Sequence, residues 1–203
     1  IDGKVLYESK IRGIKVSSDN VLAYITEMVE KLTQHAAETP HGITGVCIAI
    51  HGLVNQEEII FTPNYTLQSD LKSQLEEMYP FYVYLENEAN LAALGEYTFG
   101  SISDSVVSLS IHTGIGAGIV ENGKLRTGKK GIAGEIGHSI LYPDGRKCPC
   151  GNDGCLEQYA SHQAIYSELE QLLALPDINS SLVIERYKKG DPTVQKVLRT
   201  NAH

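Results

Sequence analysis

Residues 131–157 read GIAGEIGHSILYPDGRKCPCGNDGCLE, and no other stretch restricts the fold of this chain as much. One residue separates Cys148 from Cys150, four separate Cys150 from Cys155, and nine separate His138 from Cys148. Three thiolates and one imidazole complete a tetrahedral set for zinc and leave no position for water, so the expected role of the metal is structural. Gly151 and Gly154 let the loop turn sharply enough for the sulfurs to face one point. Two alternatives stand beside this reading. A disulfide would leave an odd thiol, and cysteines as close as Cys148 and Cys150 are poorly placed to pair with each other. Free, unrelated thiols would not be expected to crowd into one Gly- and Pro-containing loop. Glu135 and Glu157 flank the ligands and remain available for another role.

The rest of the chain sets broad bounds. With 203 residues and 42% hydrophobic content it can bury a core without staples. Its length suits one large domain or two small lobes, the lobes being expected as an N-terminal α/β lobe over 1–100 and a second lobe with the metal loop over 101–203. A formal net charge of −8 argues against this stretch gripping nucleic acid itself, which needs a basic surface. The fourth cysteine, Cys47, sits in the run Val46-Cys47-Ile48-Ala49-Ile50 and reads as a small buried residue. Nothing calls for an oxidising compartment, and neither a signal peptide nor a membrane-length apolar run is present, so a cytoplasmic location is expected. Ile1-Asp2-Gly3-Lys4 reads as a hairpin turn feeding a strand over 4–9, and Asp191-Pro192 opens a helix with no stop signal. The chain therefore reads as a piece of a longer protein.

Periodicity supplies the elements. A helix is expected over 20–35, with Val21, Ile25, Met28 and Leu32 on one face. The apolar run 43–50 suggests a central strand buried on both faces. A strand over 58–61 follows, and Ser69 is placed to cap a short helix carrying Leu71, Leu75 and Met78. A strand over 82–85 then runs into Glu86-Asn87-Glu88 and an Ala/Leu-rich helix over 89–99. Asn87 and Glu88 thus lie where α/β sheets place ligand-binding groups, although a first-turn acid facing the helix dipole explains Glu88 equally well. After a strand over 106–111, His112-Thr113-Gly114-Ile115-Gly116-Ala117-Gly118 is a glycine-spaced turn able to present N–H groups to a phosphate, or simply a bend. No helix follows it, so a Rossmann dinucleotide site fails its context. Glu121-Asn122-Gly123-Lys124 reads as a hairpin turn. Ser161 caps a helix with Ile165, Leu169 and Leu172 inward, and a further helix covers 180–187.

Several of these motifs occur together, in order: Ile43-Thr44-Gly45-Val46 with His51-Gly52, Pro63-Asn64, Glu86-Asn87-Glu88-Ala89-Asn90 with Gly95-Glu96, Thr113 to Gly118, Gly134-Glu135-Ile136-Gly137-His138, and Cys148-Pro149-Cys150-Gly151 through Glu157. The set resembles the ROK family, which joins sugar-responsive repressors and sugar kinases on an actin-like ATPase, ribonuclease H-like α/β fold. The resemblance runs from the first strand to the last helix and implies a partial copy of that fold. It implies that Asn64, Asn87, Glu88, Glu135, His138 and Glu157 meet the sugar, that Glu88 stands at the kinases' catalytic base position, and that Thr113, Gly114 and Gly116 are the remnant of a phosphate loop. His138 would serve both metal and sugar, one ring nitrogen for each.

Three departures separate the family's two classes here. Glu replaces Asp at position 88, and one added methylene moves a base that must sit within about 3 Å of its hydroxyl. The first phosphate-binding segment, which in the family lies on the strand before the opening hairpin, falls outside this chain, which says nothing about the longer protein. His112 puts an imidazole where the kinases carry a small residue beside the phosphates. The Asn-Glu-Ala-Asn form also resembles the xylose-type repressors of the family. The expectation is therefore a sugar-binding effector domain, homodimeric, coupled to operator DNA through an upstream helix-turn-helix, with no membrane partner. The alternative is an ATP-dependent sugar kinase using Glu88 as general base, in which case ATP joins zinc as a cofactor.

Overall fold

The computed structural model describes residues 4–11, 16–36, 41–55, 58–63, 70–100 and 104–201. The chain divides into two units, Ile1–Ser108 with Gly118–Ala133, and Leu109–Ala117 with Gly134–His203.

In the first unit, α1 (Val21–Ala36) is followed by β1 (Gly45–Ile50), the pair β2 (Leu53–Asn55) and β3 (Glu58–Phe61), then α2 (Leu71–Met78), β4 (Tyr82–Asn87) and α3 (Glu88–Phe99). β1 and β4 run parallel in the register Gly45↔Tyr82 to Ile50↔Asn87, so β4 delivers Asn87 to the carboxyl edge of the sheet. β2 and β3 pair antiparallel. The core joins Ile50, Val54, Ile59, Leu71, Leu75, Val83 and Leu85, with Val21, Leu22 and Ile25 of α1 packed against it. α2 also bonds directly to β4: the Val83 N–H donates to Glu76 Oε1 at 3.1 Å and Lys72 Nζ donates to the Val83 carbonyl at 2.8 Å.

β5 (Ser105–Ile111), β6 (Ile115–Glu121) and β7 (Lys124–Leu125) form a sheet in that order, and β5 and β6 supply residues to both units. Asn122 and Gly123 take left-handed φ of 51° and 76°, which closes the expected Asn-Gly hairpin. A methyl group at Gly118 would meet the Ala89 carbonyl oxygen at 2.2 Å and Ala93 Cβ at 2.6 Å, so glycine there lets β6 and α3 touch.

The second unit carries a 3-10 turn (Ile136–His138), α4 (Glu157–Ala160), α5 (His162–Leu173), α6 (Ser180–Lys188) and α7 (Pro192–Asn201). Its apolar core is Leu169, Ile178, Val183, Val194 and Val197. Ser161, Asn179 and Asp191 cap α5, α6 and α7 through their side chains, as their positions ahead of each helix require.

Several expectations are corrected. Residues 4–9 form no strand; Val5 and Leu6 are 75% and 71% exposed, and no described strand pairs with them. β1 is not buried on both faces: Gly45, Cys47 and Ala49 alternate outward, so Cys47 is exposed and not a core residue. Leu172 is 58% exposed, at the solvent-facing margin of the α5 stripe in which Leu169 is buried. The glycine-spaced turn is shorter than expected, since Ile115 to Gly118 already belong to β6. Asp70, without a side-chain cap bond, precedes α2. Asn64, Ser69 and the hairpin turn at 1–3 lie outside the described residues.

Candidate metal centre and its surroundings

The loop after the 3-10 turn is held by backbone bonds before any metal is considered. Leu141 and Tyr142 N–H groups reach the Gly154 carbonyl, the Gly154 N–H reaches the Arg146 carbonyl, and the Cys148 N–H reaches that of Asn152. Gly154 has φ +80°, and a Cβ there would collide with the Tyr142 carbonyl at 1.6 Å; only glycine closes this fold of the chain.

The ligand atoms of His138, Cys148, Cys150 and Cys155 all lie within 4.8 Å of one another. His138 Nδ1 is 3.5 Å from Cys148 Sγ, and Cys150 Sγ is 3.6 Å from Cys155 Sγ. A tetrahedral site with metal–sulfur bonds of about 2.3 Å and metal–nitrogen bonds of about 2.0 Å has edges of roughly 3.5 Å (N···S) and 3.8 Å (S···S). The group therefore fits a tetrahedral metal. The sulfur–sulfur separation is far beyond a disulfide bond of about 2.05 Å, and all four cysteines are free. Burial pushes the Cys148 and Cys155 thiols up, Cys155 to about 12. At Cys150 burial also raises the thiol, but the Asn152 N–H and the neighbouring thiols outweigh it and hold it below its usual value.

His138 turns Nδ1 to the sulfurs and Nε2 to Glu135, 3.8 Å from its Oε2. Glu157, the first residue of α4, accepts the Ile115 N–H on Oε2 at 2.8 Å. A Cβ at Gly114 would stand 2.4 Å from that same oxygen. Gly114 is thus kept bare by a carboxylate of this chain. Thr113 is exposed in the turn and Gly116 lies in β6. In the first unit, Asn87 caps α3, its Oδ1 accepting from Ala89 and Asn90 while its Nδ2 donates to the Gly52 carbonyl at 2.8 Å. Glu88, exposed, is the first residue of the helix. The structure brings the four candidate metal ligands together with Glu135 at their edge, joins Glu157 to the glycine turn, and sets Asn87 beside Glu88.

Sequence reasoning missed three supporting residues. Gln158 Nε2 donates to Cys148 Sγ at 3.6 Å. Arg146 donates through its guanidinium to the Gln158 carbonyl and to Glu168, and its backbone N–H meets the Tyr159 hydroxyl at 2.7 Å. Glu86, buried at the end of β4, accepts the Asn87 N–H and the Asn90 amide on Oε1. For Gln158 the available signal was its place three residues after a ligand cysteine. Glu86 stood inside the motif Glu86-Asn87-Glu88-Ala89-Asn90 but with no role of its own, and Arg146 carried no signal, since charged residues usually face solvent.

Known proteins resemble this chain in sequence and in overall fold. The model of the ROK family matches residues 1–203. The xylose repressor of Bacillus subtilis is 39% identical over 161 residues, covering 76% of this chain and 42% of that protein. The glucokinase of Streptomyces coelicolor is 41% identical over 140 residues, covering 66% of this chain and 44% of that protein. Among solved structures, a ROK family transcriptional regulator homologous to the E. coli MLC protein superposes with a TM-score of 0.80 and 31% identity over 98% of this chain and 54% of that one. A ROK family glucokinase from Streptomyces griseus, in complex with glucose and AMPPNP, gives 0.77 and 31% over 92% and 65%. The chain spans about half the length of the curated relatives it matches. The mixed α/β architecture is the actin-like ATPase fold expected from the motifs.

Proposed function

The chain belongs to the ROK family, and from that premise we propose that it is the sugar-sensing effector part of a transcriptional repressor, with xylose as the first ligand to test. Operator DNA is engaged through a helix-turn-helix outside this chain, in a homodimer. The likeness to xylose repressors supports this reading. The observation that carries it over the kinase alternative is Glu88, a longer side chain at the position where the family's kinases hold their aspartate base.

In this reading Asn64, Asn87 and Glu88, with Glu135, His138 and Glu157, meet the sugar hydroxyls. Carboxylate and amide groups fixed in place discriminate strongly against ligands that lack a hydroxyl. His138, Cys148, Cys150 and Cys155 hold a zinc ion, which supplies a rigid anchor. His138 is then fixed in tautomer and angle with Nε2 turned toward Glu135. Among the described residues no helix is long and apolar enough to cross a membrane.

The glucokinase likeness keeps one second reading in view, an ATP-dependent sugar kinase with Glu88 as base. Calorimetry with xylose and glucose on the full-length protein, alongside a coupled ATP-turnover assay, separates the two. The expected result is sugar binding with about one zinc per chain and no sugar-dependent ATP turnover. Sustained turnover would replace the repressor reading with the kinase one.

A further inference from the structure

Three consecutive side chains at the start of α4 each grip a different part of the second unit. Glu157 Oε2 accepts the Ile115 N–H at the end of the glycine turn. Gln158 Nε2 donates to the Cys148 sulfur at 3.6 Å. The Tyr159 hydroxyl accepts the Arg146 N–H at 2.7 Å, and its ring lies edge-on to Tyr142 with centroids 4.9 Å apart. The Arg146 guanidinium adds a bond to the Gln158 carbonyl at 2.8 Å and one to Glu168 of α5 at 2.9 Å. A helix of one turn has little stability of its own, so its place is set by these side-chain ties. On the other side of Glu157 the fit is equally close, because Gly114 leaves no room for a methyl group against the carboxylate.

We propose that Glu157 is the positioning residue of the Gly114–Ile115 turn, and that the metal loop holds Glu157 in place through Cys148 and Gln158. Occupancy of the Cys3His cluster is thereby transmitted along Cys148, Gln158 and Glu157 to the backbone of the turn, a path contained in one unit and indifferent to which of the two activities the full protein has. A carboxylate suits this role, because a charge-assisted bond to a backbone N–H is about twice as strong as a neutral one. A sulfur accepts from the Gln158 amide only weakly, so its hold depends on the sulfur being fixed by metal.

The proposal is tested by hydrogen exchange of the Ile115 amide in the full-length protein, measured with zinc bound and after chelation. In the wild type, chelation is expected to speed exchange at Ile115 as well as within 139–156. Glu157→Ala is expected to speed it about ten- to hundredfold with zinc still bound, the loss of one charge-assisted bond, and chelation then adds little at Ile115. Glu157→Gln, whose amide oxygen still accepts, restores most of the protection. Gly114→Ala, which displaces the carboxylate without removing it, reproduces the Glu157→Ala result and serves if that variant does not fold. Unchanged Ile115 exchange in the zinc-bound Glu157→Ala and Gly114→Ala proteins overturns the positioning role. Chelation that loosens 139–156 and leaves Ile115 untouched overturns the transmission.

Discussion

Cys155 shows how the metal site is prepared at the level of one side chain. Burial pushes its thiol up to about 12 and also raises Cys148, while Cys150 is held below its usual value. At neutral pH the first two therefore carry protons that a metal must displace, whereas Cys150 yields its own more readily. The sign follows: raised thiols weaken metal binding as pH falls and strengthen it as pH rises. Zinc affinity, read by competition with a chromophoric chelator, is expected to climb steeply as pH rises from about 6 to 8, because each thiol that still carries its proton must release it to the solvent on binding. A pH-independent affinity would mean that the thiols are not the ligands. The candidate ligands were legible in the sequence because all four fall within one short segment, from His138 to Cys155. Cys47 was misjudged for the opposite reason: a small apolar residue in a strand faces inward or outward according to neighbours that its own sequence does not name.

At the level of elements, caps and periodicity carried most of the reading. Four helices, α3, α5, α6 and α7, begin where Asn87, Ser161, Asn179 and Asp191 offer side-chain oxygens to open N–H groups. Ser161 is 2% exposed and accepts from Ala164 at 3.1 Å, so Ser161→Ala is expected to destabilise the protein by about 1 kcal/mol in urea unfolding. A change indistinguishable from zero would show that another group satisfies the Ala164 N–H. Where the reading failed, the missing information was tertiary. Leu172 continues the helical stripe of Ile165 and Leu169 by spacing, yet the residues packed on α5 cover Leu169 and stop short of it. The glycines of the turn read as one motif, but they answer to separate neighbours: Gly114 to Glu157 and Gly118 to Ala89 and Ala93.

For the whole molecule, the apolar cores belong to Ile50, Val54, Leu75, Val83 and Leu85 in one unit and to Leu169, Val183, Val194 and Val197 in the other. The metal loop contributes to neither. Loss of metal should therefore open the loop locally and leave both cores standing. With zinc removed, trypsin is expected to cut first after Arg146 or Lys147, with little change in far-UV circular dichroism; a global loss of helix on chelation would contradict this. The fold class was visible because its motifs are local and ordered along the chain. The roles of Arg146 and Gln158 were not, because each depends on a partner brought close only by folding; that of Glu86 was not, because its bonds to Asn87 and Asn90 arise only from the turn of β4 into α3.

The two bonds from α2 to Val83 have a further consequence. β4 hydrogen-bonds to β1 along one side, and an unoccupied strand edge is a template on which another chain can add itself. Glu76 and Lys72, themselves an ion pair 3.4 Å apart, occupy the donor and acceptor of Val83 with side-chain groups, so a strand adding at that position must displace both. That one helix thus blocks edge-to-edge pairing at Val83.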